Sequence, residues 1–200
     1  WINTMDSTSN VRGAAPYVTA SGGNQSPVCG LVCGDYKTHI FTGPGTLCFS
    51  SGGTPLGSNT IDYFVVAGGG SGGSNTAGGG AGAGGFRMSN SLGLPAPTNS
   101  PLATGTALTV SATGYPIQVG GGAAGIATPC SPAQPNGTPS IFSTITSAGG
   151  GGGTNGIQVG VCGGSGGAGK GGAGPSVSNP YPGGTSQPVT SPVQGSAGGA

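Results

Sequence analysis

Charge is what this sequence has least of. Its 200 residues hold four Lys or Arg (Arg12, Lys37, Arg87, Lys170), three Asp (Asp6, Asp35, Asp62) and no Glu, for a net charge of +1. A nucleic-acid binder needs a basic face to neutralise phosphates, and none can be assembled from four scattered cations. Acid–base catalysis needs titratable groups that converge, and three isolated aspartates with one histidine, His39, do not supply them. The chain is therefore read as not an enzyme and as using no cofactor. Metal binding is set aside as well: Cys29-Gly-Leu-Val-Cys33 has no second close pair to complete a ligand set. His39 itself, within the strand-like "THIFTG", reads as a hydrogen-bonded structural histidine. No apolar run of about 18 residues exists, which excludes membrane insertion as a spanning helix. The start at Trp1 lacks both a basic and an apolar leader region and is read as a processed product or a fragment of a longer protein.

What is present in excess is glycine, 49 residues, with 17 proline. That composition ordinarily signals disorder, but disordered chains are usually highly charged and this one is nearly neutral. Ordering each glycine costs roughly 0.5–1 kcal/mol more than ordering alanine. With 33% hydrophobic residues, many of them alanine, a side-chain core cannot offset this, so cohesion has to come from main-chain hydrogen bonds at close approach. Five cysteines, Cys29, Cys33, Cys48, Cys130 and Cys162, form an odd set. They are read first as two bridges plus one free or intermolecular thiol, with buried reduced cysteines as the alternative.

The chain divides near residue 66. Residues 1–66 carry strand-like stretches, "KTHIFTG", "TLCFSS" and "IDYFVV", with a tight turn at "GPG" (43–45). Residues 67–200 are dominated by glycine runs: "AGGGSGG", "AGGGAGAGG", "VGGGAAG", "SAGGGGG", "GGSGGAGKGGAG" and "SAGGA". The fifth imitates a phosphate-binding loop from Gly164 to Lys170, but Gly171 stands where Ser or Thr must hold the metal, and no strand and helix flank it. Irregular spacing excludes collagen. The remaining candidate is polyglycine II, an extended threefold helix with no internal hydrogen bonds, whose amides only neighbouring helices can satisfy. The expected fold class is mainly β and irregular: a small amino-terminal β region, then a sandwich of packed polyglycine II helices, with almost no α-helix. Long connections at 86–104, 126–140 and 175–194 alternate with short ones at 74–76, 111–116 and 154–156. If successive runs are antiparallel, all the long loops fall at one end.

Five stretches in fixed order, "GDYKTHIFTGPGT" from Gly34, "IDYFVVAGGGSGG" from Ile61, "AGGGAGAGGFRMSNS" from Ala77, "GYPIQVGGGAAG" from Gly114 and "SIFSTITSAGGGGG" from Ser140, carry a resemblance. Residues 34–174 resemble the glycine-rich domain of structural proteins from marine cyanophages and related tailed phages. More distantly they are similar to the polyglycine II adhesins at the tips of T-even-like tail fibres. The resemblance implies a virion or extracellular location and a fibre or receptor-binding role. The implied partners are a host surface glycan or outer-membrane protein and other fibre proteins, with a trimer or filament as the homo-oligomer. The alternative is a purely structural subunit of a filament or a virion spacer.

For recognition, Tyr181 in "NPYPGG" is the leading residue, a stiff amphipathic ring between prolines. Asn179, Asn99, Gln134 and Asn136 would supply sugar-type hydrogen bonds. Arg87, at the head of the first long loop, is read either as a contact for an acidic glycan or as a donor to carbonyls left open at a helix end. Asp35 and Lys37 are placed to pair on one strand face.

Overall fold

A computed structural model describes residues 17–25, 30–34, 36–74, 78–91, 100–126, 134–155, 158–169 and 181–199. Among them there is no α-helix, and the fold is β and irregular throughout. The chain forms two compact units: Trp1–Tyr63 with Ser89–Gly93 and Thr104–Ile117, and Phe64–Met88 with Leu94–Ala103 and Gln118–Ala200.

The first unit is built on β4 (Gly45–Gly52). Its alternation buries Leu47 and Phe49 on one face, the period-two pattern of a half-covered strand. On one side β1 (Val18–Ser21) pairs antiparallel from Val18↔Gly52 to Ser21↔Cys48, with a register shift between Thr19 and Ala20. On the other, β10 (Gly114–Gln118) pairs with Gly114 opposite Cys48 and Ile117 opposite Gly45. Phe49 meets Tyr115 edge to face at 5.3 Å between centroids. Two small antiparallel pairs complete the unit, β2 (Leu31–Cys33) with β3 (Tyr36–Thr38), and β5 (Thr60–Ile61) with β9 (Leu108–Thr109).

Two sequence expectations change in this region. "KTHIFTG" is strand only as far as Thr38. Beyond it the His39 ring donates from Nδ1 to the Gly22 carbonyl at 2.7 Å, while its buried Nε2 has no partner among the described residues, so the histidine is structural but only half satisfied. "IDYFVV" is not one strand but two short ones, β5 and β6 (Phe64–Val66), separated at Asp62 and Tyr63. The Asp62 carboxylate accepts the hydroxyls of Ser89 (2.7 Å) and Ser91 (2.8 Å), and Ser89 Oγ accepts the Tyr63 N–H at 3.1 Å. These long-range side-chain bonds stand where a strand ladder would otherwise continue.

In the second unit β6 pairs with β7 (Phe86–Ser89), whose other side is taken by β8 (Ala103–Thr104), and β11 (Ser140–Phe142) makes a hairpin with β12 (Ile145–Ser147) through Ser143, at φ 55°. The buried hydroxyls of Ser140 and Ser147 donate to the Val66 and Val65 carbonyls at 2.7 and 2.8 Å. Glycine runs make up the remainder. Ala67, Gly70 and Gly73 donate their N–H groups to Gly85, Gly82 and Gly79, while Gly68 and Ser71 donate to Thr138 and Pro135. In turn Gly79, Gly82 and Gly85 donate to Thr154, Gly151 and Ala148, at 2.7–2.9 Å. Every third residue therefore faces the same neighbour. This is the signature of a helix with three residues per turn and no internal hydrogen bonds.

Pairings of this kind trace successive runs at 67–74, 78–85, 120–126, 134–139, 148–155, 158–164, 165–169, 181–187 and 194–199, each antiparallel to the one before. The centre is 148–155. It is bonded to 67–74 (Gly150 and Gly153 to Gly68 and Ser71), to 78–85, to 134–139 (from Gln134 and Gly137), to 158–164 (from Val161 and Gly164) and to 165–169 (Gly151 to Ser165). All residues from Gly149 to Asn155 are buried. A main-chain helix thus occupies the position that an oily side-chain cluster holds in most domains. The phosphate-loop imitation is, over its described part, a tight reversal between two runs, closed by Gly167 N–H to the Val161 carbonyl at 2.8 Å.

Glycine is required in these runs for space. Among the described residues the positive-φ glycines, Gly22, Gly23, Gly30, Gly34 and Gly53, all precede them. A Cβ on Gly150, by contrast, would collide with the Gly82 carbonyl oxygen, and one on Gly149 with that of Gly137.

The long connections do not share an end. Phe86 leaves the slab where Ala67 enters it, beside Gly85 and Ala148, whereas Ile126, Gln134, Gly169 and Tyr181 lie at the end marked by Gly73, Gly79 and Thr154. Two features overturn the expected alternation. Residues 105–110 form no glycine run but contribute β9, so the chain departs at Phe86 and returns at Gly120 on the same end. The expected short turn at 111–116 lies partly within β10.

Two glycine substitutions separate space from flexibility. Gly150→Ala is expected to lower stability by ~3 kcal/mol or more, because the colliding atoms are backbone and cannot swing away. Gly80→Ala, where a Cβ meets nothing within 4 Å, is expected to leave stability unchanged or raise it by up to ~1 kcal/mol. Denaturant titration of both proteins checks the contrast.

Candidate functional site

The end of the slab that carries Ile126, Gln134, Gly169 and Tyr181 holds both flanks of 127–133 and both flanks of 170–180. The side chains at the feet of these connections are engaged with main chain. Gln134, 3% exposed, accepts the Ile126 N–H at Oε1 (2.7 Å) and donates from Nε2 to the Ile126 carbonyl (3.0 Å). One buried amide thus clamps the two flanks of the connection together. Asn155, also buried, does similar work across 75–77, accepting the Ser74 N–H at 2.7 Å. Asn136 is exposed, yet both ends of its amide are used: Nδ2 donates to the Cys162 carbonyl and Oδ1 accepts the Gly152 N–H, each at 2.9 Å.

Of the residues expected to contact a receptor, then, Gln134 and Asn136 are brought to this end but are occupied in holding runs together. Tyr181 is half-buried at the first residue of its run, immediately before Pro182, whose carbonyl accepts the Gly160 N–H at 2.9 Å. Asn179 and Asn99 lie outside the described residues. Arg87 sits in β7 opposite Val65, at the other end of the slab, half-buried and with no side-chain hydrogen bond to a described residue. Lys37 does not reveal the expected pair, since Asp35 is outside the described residues; its Nζ donates to the Ala20 carbonyl at 3.1 Å.

The opposite end has a fastening that the sequence did not single out. Gln194, 1% exposed, accepts the Ala148 N–H at Oε1 (2.8 Å) and donates to the Pro188 carbonyl (3.1 Å), while its own carbonyl accepts the Phe86 N–H (2.9 Å). The available signal was a glutamine directly ahead of the glycine run that begins at Gly195.

Cys48 and Cys162 are free and exposed, which leaves too few thiols for the two expected bridges. Cys48 lies in β4 with Ser21 and Gly114 as its cross-strand neighbours, and Cys162 Sγ lies 3.3 Å from Thr185 Oγ1. Cys29 and Cys130 are outside the described residues. The Thr185 contacts stabilise the Cys162 thiolate and lower its pKa, against a small opposing effect of burial. Among the described residues no group of three or more His, Cys, Asp or Glu could hold a metal ion, and no helix is long and apolar enough to cross a membrane.

With this geometry in place, the profile of the glycine-rich domain family matches residues 42–200, well over half of the chain. The protein belongs to the glycine-rich domain family. No curated protein and no solved structure matches it. The family match takes in both the closing strands of the first unit and every run of the slab, so the glycine-rich domain is more than its glycine runs.

Two outcomes test the site. Gln134→Ala is expected to cost ~1–3 kcal/mol in denaturant titration, because the buried Gln134 amide and its two hydrogen bonds to the Ile126 main chain are lost. Thr185→Val is expected to slow alkylation of Cys162 near pH 8 by a few-fold, since a higher thiol pKa leaves less thiolate; mass spectrometry of the Cys162 peptide reads the rate.

Proposed function

We propose that this glycine-rich domain is a virion fibre or adhesin domain that attaches to a host surface molecule, a glycan or an outer-membrane protein, without turning it over. Its scaffold would hold the contacting loops in fixed positions. The observation that carries this reading is the paired anchoring at one end of the slab: the flanks of 127–133 and of 170–180 lie together there, with Tyr181 among them, fastened to a buried main-chain core. Preorganised contact segments lose less freedom on binding, which is what rigid display achieves. The resemblance to tailed-phage structural proteins supplies the biological setting, extracellular and on a virion, alongside other fibre proteins. Arg87, at the opposite end of the slab, drops out of the proposed contact surface, and Gln134 and Asn136 become supports for it.

A second reading, a spacer or filament subunit without a receptor, draws on a different observation: the lateral edge at 120–126 is open. The two readings part on one experiment. Residues 171–179 are replaced by a short Gly-Ser linker, which the direct pairing of 165–169 with 181–187 allows, since Gly184 donates to the Gly167 carbonyl. Binding to intact candidate host cells is expected to fall at least tenfold, and Tyr181→Ala to weaken it by roughly tenfold, the scale of a contact hot spot. Equal retention of wild type and replacement on cells that bind the wild type would count against this end as the contact site.

A further inference from the structure

We propose that the 120–126 run is an association edge, at which a second copy of this chain lays its own 120–126 run antiparallel across a two-fold axis. The inference does not depend on what the loops recognise.

The carrying observation is a set of unmet main-chain groups. Within this run Gly120, Ala123 and Ile126 donate inward, to Ser140 Oγ, the Gly69 carbonyl and Gln134 Oε1. Gly121 donates to Thr138 Oγ1. The N–H groups of Gly122, Ala124 and Gly125, and the carbonyls of Gly122, Ala123, Ala124 and Gly125, have no hydrogen-bond partner among the described residues. Gly121, Gly122, Ala124 and Gly125 are exposed. Along the outer side of this run the lattice of main-chain bonds is left unfinished.

A second, separate feature concerns space. Elsewhere in the slab a Cβ on most run glycines would strike neighbouring backbone, so the chain's own packing requires glycine. At Gly121 a Cβ would meet nothing within 4 Å, and at Gly122 only the Gly69 carbonyl at 3.7 Å. These positions are nonetheless as small as those inside. Glycine there keeps the outer surface within backbone reach of another threefold helix, the one partner whose donors and acceptors recur with the same three-residue period.

Symmetry selects the partner. Successive runs in the slab are antiparallel, and two copies of one run facing each other across a two-fold axis are antiparallel as well, so the edge complements itself without any new geometry. The stretch Gly120–Ile126 carries no charge, so two copies do not repel there. The contact is short: seven residues at ~3.1 Å each span ~20 Å, which places the interface in the weak, transient size class.

Sedimentation equilibrium from ~10 µM to ~1 mM tests this range of weak affinity. The weight-average mass of the wild type is expected to climb towards twice the chain mass. That of Gly121→Arg is expected to stay at one chain mass with an unchanged melting temperature, since its side chain has open space in the single chain. Gly105→Arg, also at a position where a Cβ meets nothing within 4 Å, is expected to associate like the wild type. In parallel, the amide resonances of Gly122 and Gly125 in the wild type are expected to move with concentration, a readout that needs no variant. A wild type that keeps one chain mass at ~1 mM overturns the proposal. So does a Gly121→Arg protein that associates as the wild type does, or concentration-dependent shifts that spare 120–126.

Discussion

A main-chain amide removed from water must find a partner, and in this protein that requirement organises the fold. A threefold helix leaves all of its N–H and C=O groups pointing outward, so one such helix alone is only solvated chain. Several at backbone distance satisfy one another, and glycine is what permits the distance. The buried run from Gly149 to Asn155 shows how far this goes, because its neighbours close around a helix with almost no side chains. Side-chain contacts do exist in the slab, such as the edge-to-face pair of Phe64 and Phe86 at 5.3 Å, but they lie where strands meet runs. Three of the polar side chains buried among the runs act as extensions of the main chain: Gln134, Asn155 and Gln194 each complete amides at the point where a run begins or ends.

Much of this was legible before any coordinates, for a simple reason. Glycine runs without charge or apolar period leave few ordered structures open, and antiparallel polyglycine II is one of them. The absence of helix among the described residues and the strand at "TLCFSS" could also be read from the sequence. The runs at 134–139 and 181–187 could not be read by counting glycine, because "QPNGTP" and "YPGGTSQ" contain few. Their signal was proline, whose fixed φ near −65° suits the same threefold helix. Taking proline as a mark of loops turned two structural runs into imagined connections, while the inferred common tip failed because residues 105–118 go into strands and not into a run and a short turn of the slab.

The recognition residues were the least legible part. An asparagine or glutamine in a proline-rich stretch looks equally suited to a sugar hydroxyl and to a stranded backbone amide. In a fold with so many amides to satisfy, the second use takes precedence, as Gln134 and Asn136 show. Arg87 illustrates a related limit: its distance from Tyr181 follows from where the chain reverses, which depends on pairings between runs far apart in sequence. The proposed attachment and the proposed association draw on different parts of this geometry, the pair of end connections and the open lateral edge at 120–126.

The central claim is that main-chain hydrogen bonds between threefold helices are the most protected part of the molecule. Residue-resolved hydrogen exchange measures this directly. The amides of Gly82, Gly85, Gly150, Gly151 and Gly153 are expected to exchange at least as slowly as those of Leu47 and Phe49 in β4, opening only when the unit unfolds as a whole. Exchange of these glycine amides at the rate of free peptide, while the strands of the first unit stay protected, would contradict the account.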